Sequence, residues 1–185
     1  MLKKNLNTIL VPSQTPKGSK GSLGAGERAN LTLQGHVRAL RLATAKKYKM
    51  EIEPTHLLMP WLVRHCAWIH NHYQVKDHGM TPYRSCRGKD YGGFIVEFGE
   101  MVLYREHMED DQKLNPRWFK GIFVGKIDIS DEFMILTPKY GAQKKRAIRR
   151  LEGEAAWNRE FLKTVIGSPW NPTGVIQTSV PVPAE

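Results

Sequence analysis

The chain lacks any run of about 18 apolar residues, the length a membrane-spanning helix requires, and Met1 to Pro12 lack the apolar stretch and small-residue cleavage site of a secretory signal. These absences lead us to expect a soluble intracellular protein. Cysteine is scarce: Cys66 and Cys86 are too few for a disulfide framework and match no zinc spacing, so both are read as reduced thiols. Acid is nearly missing from the first quarter. Residues 1 to 50 hold ten Lys/Arg against the single acid Glu27, and no Asp or Glu precedes it.

What is present is a strongly basic chain of ordinary globular composition. Its 185 residues allow one domain or two small ones, with 41% hydrophobic and 25% charged residues. The net charge is +10 and the pI about 9.7. The excess is zoned: residues 51 to 100 hold five basic against six acidic residues, 101 to 150 eleven against seven, and 151 to 185 two against four. Two separate basic zones concentrate a counter-charged polymer, and nucleic acid is the commonest such partner inside cells.

Asn7 to Pro12 reads as a short strand, and Ser13 to Gly26 as a Gly/Ser/Lys/Pro loop closed by Gly24 and Gly26. A helix is expected from about Gly26 to Tyr48. At about 100° per residue, Ala29, Leu33, Val37, Leu40 and Ala43 share one face, while Glu27, Asn30, Gln34, Arg38 and Arg41 share another. A second helix is expected between Thr55 and Tyr73, capped by Thr55 or starting regularly at Pro60. A turn at 76 to 79 and a short element opening at Thr81-Pro82-Tyr83 follow. Gly88 to Gly93 break the chain, and the preferred domain cut lies at Gly92 or Gly93.

Beyond that cut the pattern becomes extended. Met101 to Arg105, Trp118 to Lys126, Glu132 to Thr137 and Ala147 to Leu151 read as strands separated by acidic or Pro/Gly turns. Four or five short strands with little core favour a small barrel over an open sheet with exposed edges. Lys144, Lys145, Arg146, Arg149 and Arg150 are treated as one exposed edge strand with charge on both faces, the place for phosphate contacts. A short helix around Glu154 to Thr164 and an unstructured linker over residues 173 to 185 complete the expectation.

Several strings occur in a telling order: Ser22-x-Gly24-x-x-Glu27-Arg28-Ala29, Trp68-x-x-Asn71, Thr81-Pro82-Tyr83, Phe98-Gly99-Glu100-x-Val102, Lys113-Leu114-x-Pro116-Arg117-Trp118, Gly121 to Gly125, Ser130-Asp131-Glu132 and Thr137-Pro138. Together they resemble the integrase region of copia-type LTR retrotransposon Pol polyproteins, over roughly residues 13 to 172. One departure is Arg84, where the family's string continues with an acid.

The resemblance implies an α+β chain: residues 1 to 92 as the C-terminal helical part of a ribonuclease-H-like integrase core, 93 to 152 as a small SH3-like β-barrel, 153 to 172 as a short helix and turn, and 173 to 185 as a linker. It also implies a chemistry. Integrases of this family use two aspartates and one glutamate to hold two Mg²⁺ or Mn²⁺ ions about 4 Å apart, which drive in-line displacement at phosphorus. Glu27 would be the glutamate, both catalytic and metal-binding. The matching aspartates would lie upstream, where this chain has no acid, and the upstream His/His/Cys/Cys zinc module is absent too. The resemblance therefore implies DNA binding without strand transfer by this polypeptide alone, with any metal held weakly.

Nucleic-acid contacts are expected from Asn30, Gln34, Arg38 and Arg41 on the first helix and from Lys144, Lys145, Arg146, Arg149 and Arg150 on the barrel, all directed at phosphate. Partners would be DNA and the rest of an integrase polyprotein, with a nuclear location if it functions so. The other reading is a non-catalytic adaptor whose barrel binds protein or chromatin; an aromatic cage on the barrel rim would favour it, and a groove lined by Glu27, Asn30, Gln34 and Arg38 the first. Three weaker candidates take structural roles: Cys66 with His70 as ordinary helix residues, Ser85-Cys86 without an activating base, and Trp118, Phe119, Phe123 and Trp157 as core aromatics rather than base-stackers.

Overall fold

The computed structural model describes residues 24–106 and 115–174. The expected strand at 7 to 12, residues 13 to 23 of the loop, Lys113-Leu114 and residues 175 to 185 of the linker lie outside the described residues.

Helix α1 spans Gly24–Tyr48, starting earlier than the periodicity indicates: Gly24 and Gly26 belong to its first turn instead of ending a loop. A helix start tolerates glycine because the first amides have no intrahelical acceptor in any case. At 25 residues it is about 37 Å long. Leu33, Val37 and Leu40 pack half-buried against the core, while Ala29 and Ala43 of the same expected face stay exposed. Helix α2 spans Leu58–Tyr73 with no side-chain cap, so Thr55 does not start it. Pro60 sits in its first turn, where its missing N–H removes no hydrogen bond. Leu58, Trp61, Leu62, His65, Cys66, Trp68 and His72 are buried because α2 packs against both α1 and the sheet. Helix α3 (Pro82–Arg87) carries proline in its first turn and is capped by Thr81, whose hydroxyl accepts from the Arg84 N–H at 3.1 Å.

Five strands follow: β1 (Met101–Arg105), β2 (Trp118–Lys126), β3 (Phe133–Thr137), β4 (Gly141–Lys145) and β5 (Ile148–Arg150). They form one antiparallel sheet in the order β4-β3-β2-β1-β5, so the last strand returns beside the first. β3 is buried along its whole length and β1 along most of its own, because both faces of the sheet are covered there, whereas β4 and β5 are polar and more exposed. Met101, Ile122, Val124, Met134 and Leu136 face the helices, and they share a cluster with Tyr48, Ile52, Leu58, Trp61, Leu62 and Cys66. Alternate residues Val102, Tyr104, Phe123, Phe133 and Ile135 form a second cluster with Val96 on the opposite face.

The chain is a mixed helical and antiparallel-sheet structure. The proposed cut at Gly92 or Gly93 falls in extended chain, and the first cluster draws on residues from both sides of it. A 3-10 turn (Gly153–Ala156) and helix α4 (Arg159–Thr164) lead into a return segment. That segment attaches to the sheet through Ile166 N–H to Thr137 O at 3.4 Å and Ala142 N–H to Pro172 O at 2.7 Å. Among the described residues no helix is long and apolar enough to cross a membrane.

Candidate nucleic-acid interface

On α1, Glu27, Asn30, Gln34 and Arg38 are all exposed, and their spacing of three and four residues aligns them in one stripe. Arg41 leaves that set. Its Nε donates to the Ile52 carbonyl at 2.6 Å and its Nη2 stands 3.9 Å from Glu51, so it anchors the chain after α1. Gln34, Arg38 and the half-buried Arg41 line an α1/α2 groove of about 310 Å³ with Leu33, Val37 and Met59, and Asn30 lines a smaller neighbouring cleft with His70 and Asn71. Glu27 lines neither.

The basic strip is two strands, a correction to the single edge strand expected from residues 144 to 150. Lys144 and Lys145 end β4 and Arg149 and Arg150 end β5, on opposite edges of the sheet order, joined by Arg146-Ala147. Their cations differ in what they are free to do. Arg150 pairs through Nε and Nη2 with both oxygens of Glu100, each at 2.7 Å, and Glu100 is buried. Lys145 holds both oxygens of Glu106 at 2.9 and 2.8 Å and lies over the Tyr104 ring. Both are structural.

Arg146 bonds Glu132 at 3.0 Å, but its side chain is 89% exposed, so solvent screens the pair and it yields readily to phosphate. Hydrogen bonds from Ser130 first, then Arg146, hold the Glu132 carboxyl below its ordinary range. Lys144 is exposed with no ion pair within 4.0 Å among the described residues. Arg149 is exposed and places its guanidinium 4.2 Å from the centroid of the Trp118 ring. Three cations, Lys144, Arg146 and Arg149, are thus available to an external anion.

Comparison with protein-family models, with curated proteins and with solved structures finds no match.

A metal fares poorly against this geometry. Among the described residues no three His, Cys, Asp or Glu side chains stand together as a metal-holding group. Glu27 is exposed and shares its stripe with amides and a guanidinium, so the residues present do not fit the two-ion centre that the resemblance implies. Cys66 is buried in the core, where burial pushes its thiol up to about 11, and His70 shares a 2.6 Å hydrogen bond with Lys76.

Ser85 does have a base nearby, contrary to the sequence reading: His78 Nε2 lies 3.3 Å from its hydroxyl. That hydroxyl donates to the Thr81 carbonyl at 3.1 Å, and the pair sits on the surface. Of the candidate stacking aromatics, Phe123 is fully buried and Trp157 packs edge-on against Tyr48, whereas Trp118 and Phe119 reach the surface of the sheet.

An aromatic group missed in the sequence joins α2, α3 and the segment before the sheet. Trp68, His72, Tyr83 and Tyr91 border a cleft of about 670 Å³ together with Asp90, Asp128 and Asp131. They do not form an open cage: Trp68 and His72 are buried and stack on each other at 4.1 Å, and Tyr91 meets both edge-on. Beside them the buried Lys126 ammonium is held by Asp131 and the Tyr91 hydroxyl, each at 2.7 Å, and by Phe94 O at 3.0 Å. Contacts among residues 68 to 131 are invisible to a pattern read within single elements.

Proposed function

We propose that the chain is a DNA-binding fragment of a retrotransposon integrase that retains only Glu27 of the three catalytic acids and is inactive in strand transfer by itself. The observation that carries this reading is the exposed stripe of Glu27, Asn30, Gln34 and Arg38 on α1. The three exposed cations Lys144, Arg146 and Arg149 add a second phosphate-binding surface.

Two further features support it. Strand order β4-β3-β2-β1-β5 suits an SH3-like barrel, since a four-stranded meander whose fifth strand rejoins the first is that barrel's connectivity. The pair α1 and α2, of which α2 also packs on the sheet, suits the terminal helices of a ribonuclease-H-like core. Arginine, lysine and amide side chains on such surfaces hold phosphate oxygens and position a duplex.

Equilibrium binding to a short duplex tests the reading. With Arg38, Lys144, Arg146 and Arg149 each neutralising one phosphate, affinity should fall about 100-fold between about 50 and 200 mM salt. No duplex binding at the lower salt would sink the proposal.

A further inference from the structure

The sheet carries a groove of about 940 Å³ whose wall includes both aromatic rings and lysines. Its size lies at the upper end of small-ligand sites, which span about 300 to 1,000 Å³. Trp118 and Phe119 come from the start of β2, and Tyr140 from the β3–β4 turn. Phe119 and Tyr140 are 38% and 49% exposed, a cost in water for rings of this size unless something covers them.

Two cations line the groove, Lys120 and Lys139, the second 4.8 Å from the Tyr140 centroid, and Arg149, outside the lining, lies 4.2 Å from the centroid of Trp118. The one carboxylate there, Glu106, is neutralised by Lys145. The groove is therefore net positive as well as aromatic. Its lining also includes Gln143, whose Oε1 is buried without a hydrogen-bond donor. A buried acceptor of that kind is costly to leave unpaired and suits an N–H brought in by a ligand.

We infer that this groove takes unpaired nucleotides, their bases stacked on Phe119, Tyr140 and Trp118 and their phosphates held by Lys120 and Lys139. A duplex cannot use it in this way, because its bases are already stacked and paired; a positive groove lined with aromatic rings is what single strands bind. The inference rests on the nucleic-acid reading above and narrows it to a strand class. A proline-rich peptide could also lie on aromatic rings, but it would have no use for the two lysines.

Fluorescence anisotropy with labelled dT12, U12 and a 12-base-pair duplex, on the full chain, tests it. We expect dT12 or U12 to bind, and Phe119→Ala and Tyr140→Ala each to weaken that binding by about 5- to 100-fold while leaving duplex affinity within about twofold. Relative affinities for dT12 and U12 then identify DNA or RNA as the natural strand. Unchanged thermal unfolding shows that these surface variants fold; Lys139→Ala, away from the core, provides a second loss of strand affinity should either fail.

Duplex binding without dT12 or U12 binding overturns this inference and spares the proposed function. Binding of neither overturns both. Strand binding indifferent to Phe119→Ala, Tyr140→Ala and Lys139→Ala, or capture of a proline-rich peptide in place of the oligonucleotides, overturns the groove assignment.

Discussion

Arg150 closes on Glu100 through two parallel hydrogen bonds of 2.7 Å, and the carboxylate it holds is 1% exposed. The pair joins β5 to the turn that opens β1, so a residue of the apparent DNA-binding strip is part of the sheet's closure. Removing the arginine leaves a buried charge without its partner. We expect Arg150→Ala to destabilise the chain by about 2–3 kcal/mol in urea unfolding. Arg146→Ala, which loses only the solvent-screened pair with Glu132, should leave the urea midpoint close to that of the native chain. Equal losses would show that Glu100 is satisfied in some other way.

His65 predicts how stability depends on pH. It is buried in the layer between α2 and the sheet, stacked near Phe98 and Trp68, and burial lowers its pKa from 6.5 to about 4. Between those values the unfolded chain binds a proton that the native chain refuses. Stability therefore rises with pH across this window: the contribution is complete above about 6.5 and about 3 kcal/mol smaller by pH 4. Urea midpoints at pH 7 and pH 4.5 should differ more for the native chain than for His65→Leu. The same pH dependence in both would refute the assignment.

Gly121 marks a close approach between strands. A β-carbon there would collide with Ile135 Cγ2 and come within 3.0 Å of the Leu136 carbonyl oxygen. Gly121→Ala should cost about 1–3 kcal/mol through overpacking, read as a lower unfolding midpoint. An unshifted midpoint would mean that β2 and β3 can separate locally without loss.

Strand transfer gives a chemical prediction. Glu27 is exposed and has no acid beside it in its stripe, so this chain with Mg²⁺ or Mn²⁺ should convert no labelled 3′-end into joined product. Detectable product from the purified chain would show that carboxylates elsewhere complete the site.

Much of the architecture was legible in local pattern. The bounds of β1 and β2 follow from apolar runs between polar turns, and α2 from helical spacing that survives Pro60. The fourth strand was hidden because Lys144, Lys145 and Arg146 read as one charged stretch, and the turn at Arg146-Ala147 carries neither glycine nor proline. Within the candidate site, the exposure of Glu27, Asn30, Gln34 and Arg38 follows from their period along α1. The capture of Arg41 by the Ile52 carbonyl and of Arg150 by Glu100 does not, since those partners lie 11 and 50 residues away. Charge in a sequence reports how many cations exist, and only the fold determines which of them are already paired.

The most direct test of the account is the slope of log K against log salt for duplex DNA, measured for the native chain and for the triple variant Lys144→Ala, Arg146→Ala, Arg149→Ala. With four phosphates neutralised the native slope should be about −3.6, and with three of those contacts removed about −0.9. A triple variant that binds duplex DNA with the native slope would contradict the account.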